Sequence, residues 1–285
     1  LVDHVIFSPR VNVRFNPSEA VNLRVSYAGG YRAPQAFDED MHIAIVGGKR
    51  VRIRLADDLR EERSHSVSLS ADLYHTFGKV QTNLLVEGFY TILDDVFALR
   101  DMDDAADGGK VKERYNGSGA TVRGFNVEGR AAFTRWFELQ AGVTLQQSRY
   151  KEPEFWSEDA EVPPVRRMFR TPDAYGYFTA SFKPVRNFTA DLSGTCTGSM
   201  LVQHMAGSGV AQDVAVSTPS FFDMNIRLSY DVRIYKEITM QLYGGVQNLF
   251  NAYQKDFDKG VDRDSGYIYG PSLPRSWFIG AKVSF

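Results

Sequence analysis

Hydrophobic and polar residues alternate with a period of two along most of this chain. Val11, Val13 and Phe15 are separated by Asn12 and Arg14, and Val21, Leu23, Val25 and Tyr27 by Asn22, Arg24 and Ser26. Val67, Leu69, Ala71 and Leu73 alternate with Ser68, Ser70 and Asp72. The pattern recurs over 80–91, 122–134, 138–146, 173–182, 188–196, 221–230, 238–247 and 276–285, most cleanly in the last three. Successive side chains of a strand point to opposite faces, so each segment reads as an antiparallel strand with two chemically different faces. About eleven strands result, most near ~10 residues, where strands of soluble proteins run ~5–6 and a membrane-crossing strand needs ~9–11.

The polar positions contain Arg14, Arg24, Asp72, Glu87, Glu128, Arg130, Asp173, Asp191, Asp223, Arg227 and Lys282, and the apolar positions carry no charge. A hydrated lumen behind a lipid-facing surface produces this contrast, because a charge at the bilayer midplane costs ~2–4 kcal/mol and a lumenal one does not. A soluble sandwich that buries its apolar face shows the same alternation. Connection lengths separate the two. Short links at 16–20, 77–79, 135–137, 183–187 and 231–237 alternate with long segments at 30–62, 93–118, 150–172, 197–218 and 250–275. Loops beyond ~12–15 residues are uncommon in compact domains, and finding them all at one end matches a barrel with short periplasmic turns and long extracellular loops. Phe15, Phe77, Trp136, Phe137, Phe188 and Tyr235 cluster at the short turns, as an interfacial girdle would. Single-chain bacterial barrels have even strand numbers, so eleven strands predict that an odd number precedes residue 1.

Composition fits this picture. Aromatics make up 13%, with 20 Phe and 14 Tyr beside 24 Gly, which suits strands better than helices. Mean hydropathy is -0.30, so transmembrane helices are ruled out and a barrel is not. A net charge of -2 offers no electrostatic basis for nucleic-acid binding. Cys196, the one cysteine, excludes an internal disulfide and a multi-cysteine zinc site, and its apolar parity makes it inert packing.

Gly30-Tyr31-Arg32-Ala33-Pro34 follows the second strand and opens a long loop, with LREERSHSVSLS leading into the next strand. This resembles the Phe/Tyr-Arg-Ala-Pro box of TonB-dependent outer-membrane receptors. GGVQNLFNAYQKDFD resembles that family's penultimate strand, and PRSWFIGAKVSF its closing strand ending in Phe. The resemblance covers residues 1–285 and implies an all-β antiparallel transmembrane barrel, with about 11 strands here as the C-terminal half of a 22-stranded barrel whose plug domain is not in this chain. It further implies the cell outer membrane of a Gram-negative bacterium, energy from TonB through an upstream box, and uptake of a scarce bulky solute such as an iron chelate (a siderophore complex), haem or cobalamin. Trp277 and Phe285 are then the signal read by the barrel assembly machinery, and outer-membrane lipid and lipopolysaccharide are the surroundings.

The chain carries no His-Glu-x-x-His pair, Gly-x-Ser-x-Gly elbow or phosphate-binding loop, so an enzyme is not expected, nor a cofactor or metal centre. Candidate ligand contacts are Arg32, which has a stronger case as the brace of its loop base, and Asp38, Glu39, Asp40 and His42. Those four bring carboxylates and an imidazole together on an exposed segment that also reads as a solvated acidic loop. The run Lys49–Arg54 could attract an anion or extend a strand with a charged face. Asp101, Asp103, Asp104 and Asp107 lack calcium-loop spacing and read as solvated. Two other readings stay open: a passive porin or adhesin barrel, and a soluble β-sandwich binding module.

Overall fold

The computed structural model describes residues 4–34, 51–102, 110–157, 159–271 and 273–285. Among these residues there is no helix. The strands, in chain order, are β1 (Arg10–Ser18), β2 (Val21–Arg32), β3 (Val51–Leu55), β4 (Glu62–Phe77), β5 (Val80–Asp94), β6 (Phe97–Met102), β7 (Lys110–Asn116), β8 (Ala120–Ala132) and β9 (Phe137–Glu154). They continue as β10 (Val165–Arg167), β11 (Ala174–Phe182), β12 (Phe188–Thr197), β13 (Leu201–His204), β14 (Val214–Ser217), β15 (Phe221–Tyr235), β16 (Ile238–Gln247) and β17 (Ser276–Ser284). The alternating segments all lie in one antiparallel sheet of order β1-β2-β4-β5-β8-β9-β11-β12-β15-β16-β17, with β10 added beside β9. Each long strand pairs with the next one in the chain, so the wall is a meander with its tight turns at one end and its long connections at the other. Gly78, with φ of +62°, forms one such turn, in the left-handed region where a side chain is disfavoured.

Register settles which residues share a face. Arg14 pairs with Arg24, Arg24 with Ser70, Ser70 with Glu87, Glu87 with Asn126, and Asn126 with Thr144. Thr144 pairs with Tyr175, Tyr177 with Thr195, Thr195 with Asp223, Arg227 with Gly245, and Gln241 with Lys282. Directly paired residues and residues two apart lie on one side of a sheet, so ten of the eleven charged residues read from the sequence, all but Asp173, which precedes β11, occupy a single face. The opposite face is an apolar lattice; one of its rows is Val25, Leu69, Gly88, Phe125, Leu145 and Ala174.

Exposure is inverted relative to a water-soluble sheet. Leu69 is 60% exposed, Phe125 64% and Ile279 92%, while the polar positions Ser70 and Asn126 are half-buried. The sheet buries no apolar layer. The one cluster of buried hydrophobic residues among those described, Val202, Phe221, Tyr267 and Tyr269, lies at the long-loop end. Two departures from the sequence reading have clear causes. β9 runs to Glu154, well past the alternation that ends near Gln146, because beyond Leu145 both faces become polar while backbone pairing continues. The long segments also carry strands of their own, the three-stranded β3-β7-β6 and the hairpin β13-β14. Of these, β3 alternates Val51, Ile53 and Leu55 with Arg52 and Arg54, the charged strand extension that the run Lys49–Arg54 offered, whereas β13 and β14, four residues each, are too short to show a period.

A wall of this kind is stable only where hydrocarbon solvates its apolar face. In protein folded into liposomes, Val127→Arg on that face is expected to lower stability by ~2–4 kcal/mol, and Thr179→Arg on the polar face by much less. Urea unfolding read by tryptophan fluorescence checks this, and equal losses would contradict the assignment of faces.

Candidate functional site

Polar side chains satisfy one another across the polar face. Tyr177 donates to Glu128 at 2.7 Å, and Gln140 donates to the other Glu128 oxygen at 2.8 Å and to Tyr177 Oη at 3.0 Å. Arg130 closes the group by donating to Gln140 Oε1 at 3.0 Å. Thr144 donates to Asn126, and Asn126 donates to Glu87 at 3.2 Å. Toward the last strand, Arg227 donates to Gln241 and stands 4.6 Å from the Tyr243 ring centre, and Gln241 donates to Asp231. Arg227, Tyr243, Gln247, Phe278 and Lys282 line a depression of about 570 Å³ there. Both signs of charge are held on a preorganised wall, which suits binding a polar solute through several weak contacts and then releasing it.

At the long-loop end, side chains bond to backbone and so fix irregular chain. Asn248, with φ of 48°, donates from Nδ2 to the carbonyls of Ala252 and Leu273 and accepts the Ala252 N–H at 2.8 Å. Asn251 accepts the Arg275 N–H at 2.9 Å. These two residues close the neck of the 248–275 segment. Within it, buried Gln254 bridges the Tyr267 carbonyl and the Tyr269 N–H. Both tyrosines donate to Asp256, at 2.8 Å for Tyr267 and 2.6 Å for Tyr269. Burial raises the Asp256 carboxyl, but the two hydroxyls outweigh it and hold the group below the usual range. Burial and donation to Asp256 push the Tyr269 hydroxyl well up, so its proton stays in place. His204 stacks on Tyr267 with ring centres 3.6 Å apart and meets Asp258 at 3.0 Å, which joins the β13–β14 hairpin to this segment.

Arg32 closes a two-pronged ion pair with Glu62, from Nε at 2.8 Å and NH2 at 3.0 Å, and lies 4.9 Å above the Phe97 ring. Glu62 also accepts the Phe97 N–H, so Arg32 braces β2, β4 and β6 at the base of their loops. Neighbouring Glu61 is buried and accepts from Arg63 Nε at 3.0 Å and NH2 at 2.6 Å; these bonds hold its carboxyl down at about 2. Glu113 sits between Arg100 and Arg54 on the outer three-stranded sheet. Part of the basic run Lys49–Arg54 is therefore strand β3. Asp38, Glu39, Asp40 and His42 lie outside the described residues, as do Asp103, Asp104 and Asp107. Trp277 projects from the apolar side of the end strand, 76% exposed, and Phe285 directly follows that strand, 95% exposed.

Residues 3–249 match the sequence family described as TonB dependent receptor-like, beta-barrel. The chain belongs to that family. β17 lies beyond the matched residues and still completes the sheet against β16. Solved TonB-dependent receptors share the fold. The ferric-catecholate import receptor Fiu of E. coli K12, in its closed form, superposes with a TM-score of 0.63 at 16% identity, over 95% of this chain and 34% of that one. The ferric enterobactin receptor PfeA of Pseudomonas aeruginosa gives 0.62 at 16% identity, over 96% and 39%. The FrpB iron transporter of Neisseria meningitidis gives 0.61 at 16% identity, over 96% and 38%. The chain thus spans between a third and two-fifths of these structures' length. No curated protein sequence matches it.

The sequence reading missed Asn248, Gln254 and the His204–Asp258 pair. Only Asn248 carried a signal, since it opens the Asn-Leu-Phe-Asn segment that resembles the family's penultimate strand end. Asn248→Ala leaves three backbone groups without partners, each costing about 1–3 kcal/mol where it stays buried. Hydrogen exchange at 249–254 and 272–275 is expected to accelerate at least tenfold, with the sheet unchanged; unaltered exchange would contradict the neck. Glu61 makes a separate pH prediction. Its folded value of about 2 lies below the ordinary 4.5, so its contribution is complete above about pH 4.5 and is lost as pH falls toward 2. Exchange protection at 59–63 should follow that course in the native protein and be flat with pH in Glu61→Gln.

Proposed function

We propose that this chain forms part of the barrel of an outer-membrane receptor that imports a scarce, bulky solute with energy supplied through TonB, and that an iron chelate of the siderophore class is the solute. The observation that carries the reading is the pairing of an uncharged, exposed apolar face with a hydrogen-bonded polar face in a chain of this family. The relatives named for ferric catecholates and ferric enterobactin favour iron chelates over haem or cobalamin. In this reading the eleven long strands are the C-terminal half of a 22-stranded barrel, and the plug and TonB-contacting box belong to the same protein outside these residues. Among the described residues β1 and β17 each pair on one side only, and an open edge is not tolerated in lipid; the remaining strands would satisfy both edges. The protein catalyses no reaction. Its outer loops and polar wall bind the chelate, with Arg32, Asp38, Glu39, Asp40 and His42 as candidate contacts. Trp277 and Phe285 present the closing strand to the barrel assembly machinery.

Deletion of the gene should abolish uptake of radioiron supplied as a catecholate chelate to iron-starved cells of the native bacterium. Uptake should also be lost when TonB is deleted with the receptor intact. Uptake that persists without TonB would favour the passive porin, and unchanged uptake in the gene deletion would contradict the siderophore assignment.

A further inference from the structure

In the 248–275 segment two phenols and a carboxylate converge on one spot. Gln254, itself buried, sets both phenols, because its side chain bridges the Tyr267 carbonyl and the Tyr269 N–H. The two rings pack edge to face with centres 5.3 Å apart, and both residues are buried. Their hydroxyls nevertheless emerge at Asp256, which is exposed. Tyr267 Oη lies 2.8 Å from Asp256 Oδ2, and Tyr269 Oη lies 2.7 Å from that same oxygen and 2.6 Å from Oδ1. The two hydroxyls also stand near enough to act on one another's ionisation. Three oxygens on three side chains thus form a small triangle open to water on the Asp256 side.

An exposed carboxylate has water to satisfy it and does not need two buried phenols aimed at it. The spacing matches a different demand. A small hard cation held octahedrally at ~2.0–2.1 Å has neighbouring oxygen ligands about 2.8–3.0 Å apart, close to the edges of this triangle. Carboxylate and phenolate oxygens are hard ligands that suit such an ion. Burial and donation to Asp256 keep the Tyr269 proton in place in the free protein, but a bound cation inverts that logic by taking the proton's position with more charge. The surroundings favour a cation. Asp258, held by His204 at 3.0 Å, acts on Tyr267 through its charge, while the Arg170 guanidinium is engaged by the carbonyls of Gly266 and Ile268.

We propose that Asp256, Tyr267 and Tyr269 form one triangular face of an octahedral site for a trivalent cation, with ferric ion as the occupant. The ion bonds to both phenolate oxygens and to a carboxylate oxygen of Asp256, and the positions toward solvent are left to water or to a small chelator. Two O–H bonds break as two Fe–O bonds form, both protons pass to solvent, and the iron stays ferric throughout. His204 is a positioning residue, stacked on the Tyr267 ring with centres 3.6 Å apart. The site goes beyond the import reading: it takes the ion itself on a long connection rather than a chelate on the polar wall, and its geometry stands whether or not a chelate is imported.

The test is a titration of the whole receptor, purified in detergent, with ferric nitrilotriacetate. Wild type should develop a visible phenolate-to-iron charge-transfer band that saturates at a single ion per protein, and excitation within the band should enhance phenolate ring vibrations in the Raman spectrum. Tyr267→Phe, Tyr269→Phe and Asp256→Asn should each weaken binding by ~10–100-fold or more. Tyr253→Phe, the same change elsewhere in the segment, should leave it unaltered, and excess magnesium should not displace the iron. Folding is verified by the shifted mobility of an unheated barrel on a denaturing gel. Asp256→Asn, at an exposed position, carries the test alone if the tyrosine variants do not fold. No band, a band unchanged in the three variants, an equal loss in Tyr253→Phe, or displacement by magnesium would overturn the site. Iron uptake unchanged in the gene deletion, with the band intact in the purified protein, would sink the import reading and leave this one standing.

Discussion

A peptide group placed in hydrocarbon must find its hydrogen-bond partner in the chain itself, and the structure follows from that requirement. It is met by ladders that run for most of each strand's length. The pairing of β4 with β5 proceeds from Arg63 and Asp94 to Phe77 and Val80, and that of β5 with β8 from Gln81 to Leu93, both without a shift of register. Unbroken register makes the period of two meaningful. A slip of one residue would turn Glu87 and Glu128 toward lipid and Phe125 toward the polar side.

With the apolar face solvated, the polar face inherits the work of specifying structure. Glu128, Tyr177, Gln140 and Arg130 bond to one another across three neighbouring strands, so neither charge is left uncompensated on the wall. The long connections meet the same demand differently. They leave the regular ladder, and polar side chains take over as partners for the backbone: Asn248 and Asn251 at the neck, Gln254 across the interior, Glu62 at the base of β6. The buried hydrophobic cluster lies here too, because this is the part of the chain that has both water around it and enough layers to exclude water. A rigid wall carrying braced loops is the arrangement from which a receptor selects a large solute.

Alternation and connection length make the wall legible in the sequence, since strand faces and turn lengths are local properties. Val11 to Phe15 or Trp277 to Phe285 declares its two sides without reference to other strands. The loops are not legible in that way. His204 and Asp258 meet across 54 residues, and Arg32 and Glu62 across 30, with no local period to announce them. Arg32 stands out through the box that contains it, but Glu62 does not. The outer halves of β9 and β10 are hidden for a related reason: past Leu145 both faces are polar, so the pairing of Arg149 with Arg167 leaves no trace in hydropathy.

Which face of the sheet meets lipid decides everything else about this wall. The most direct measurement places an environment-sensitive fluorophore on single cysteines at 124–129 of β8, with Cys196 replaced by serine, in liposomes containing brominated acyl chains. Quenching is predicted to alternate, strong at 125, 127 and 129 and weak at 124, 126 and 128. Uniform quenching along the series, or none, would contradict the barrel wall described here.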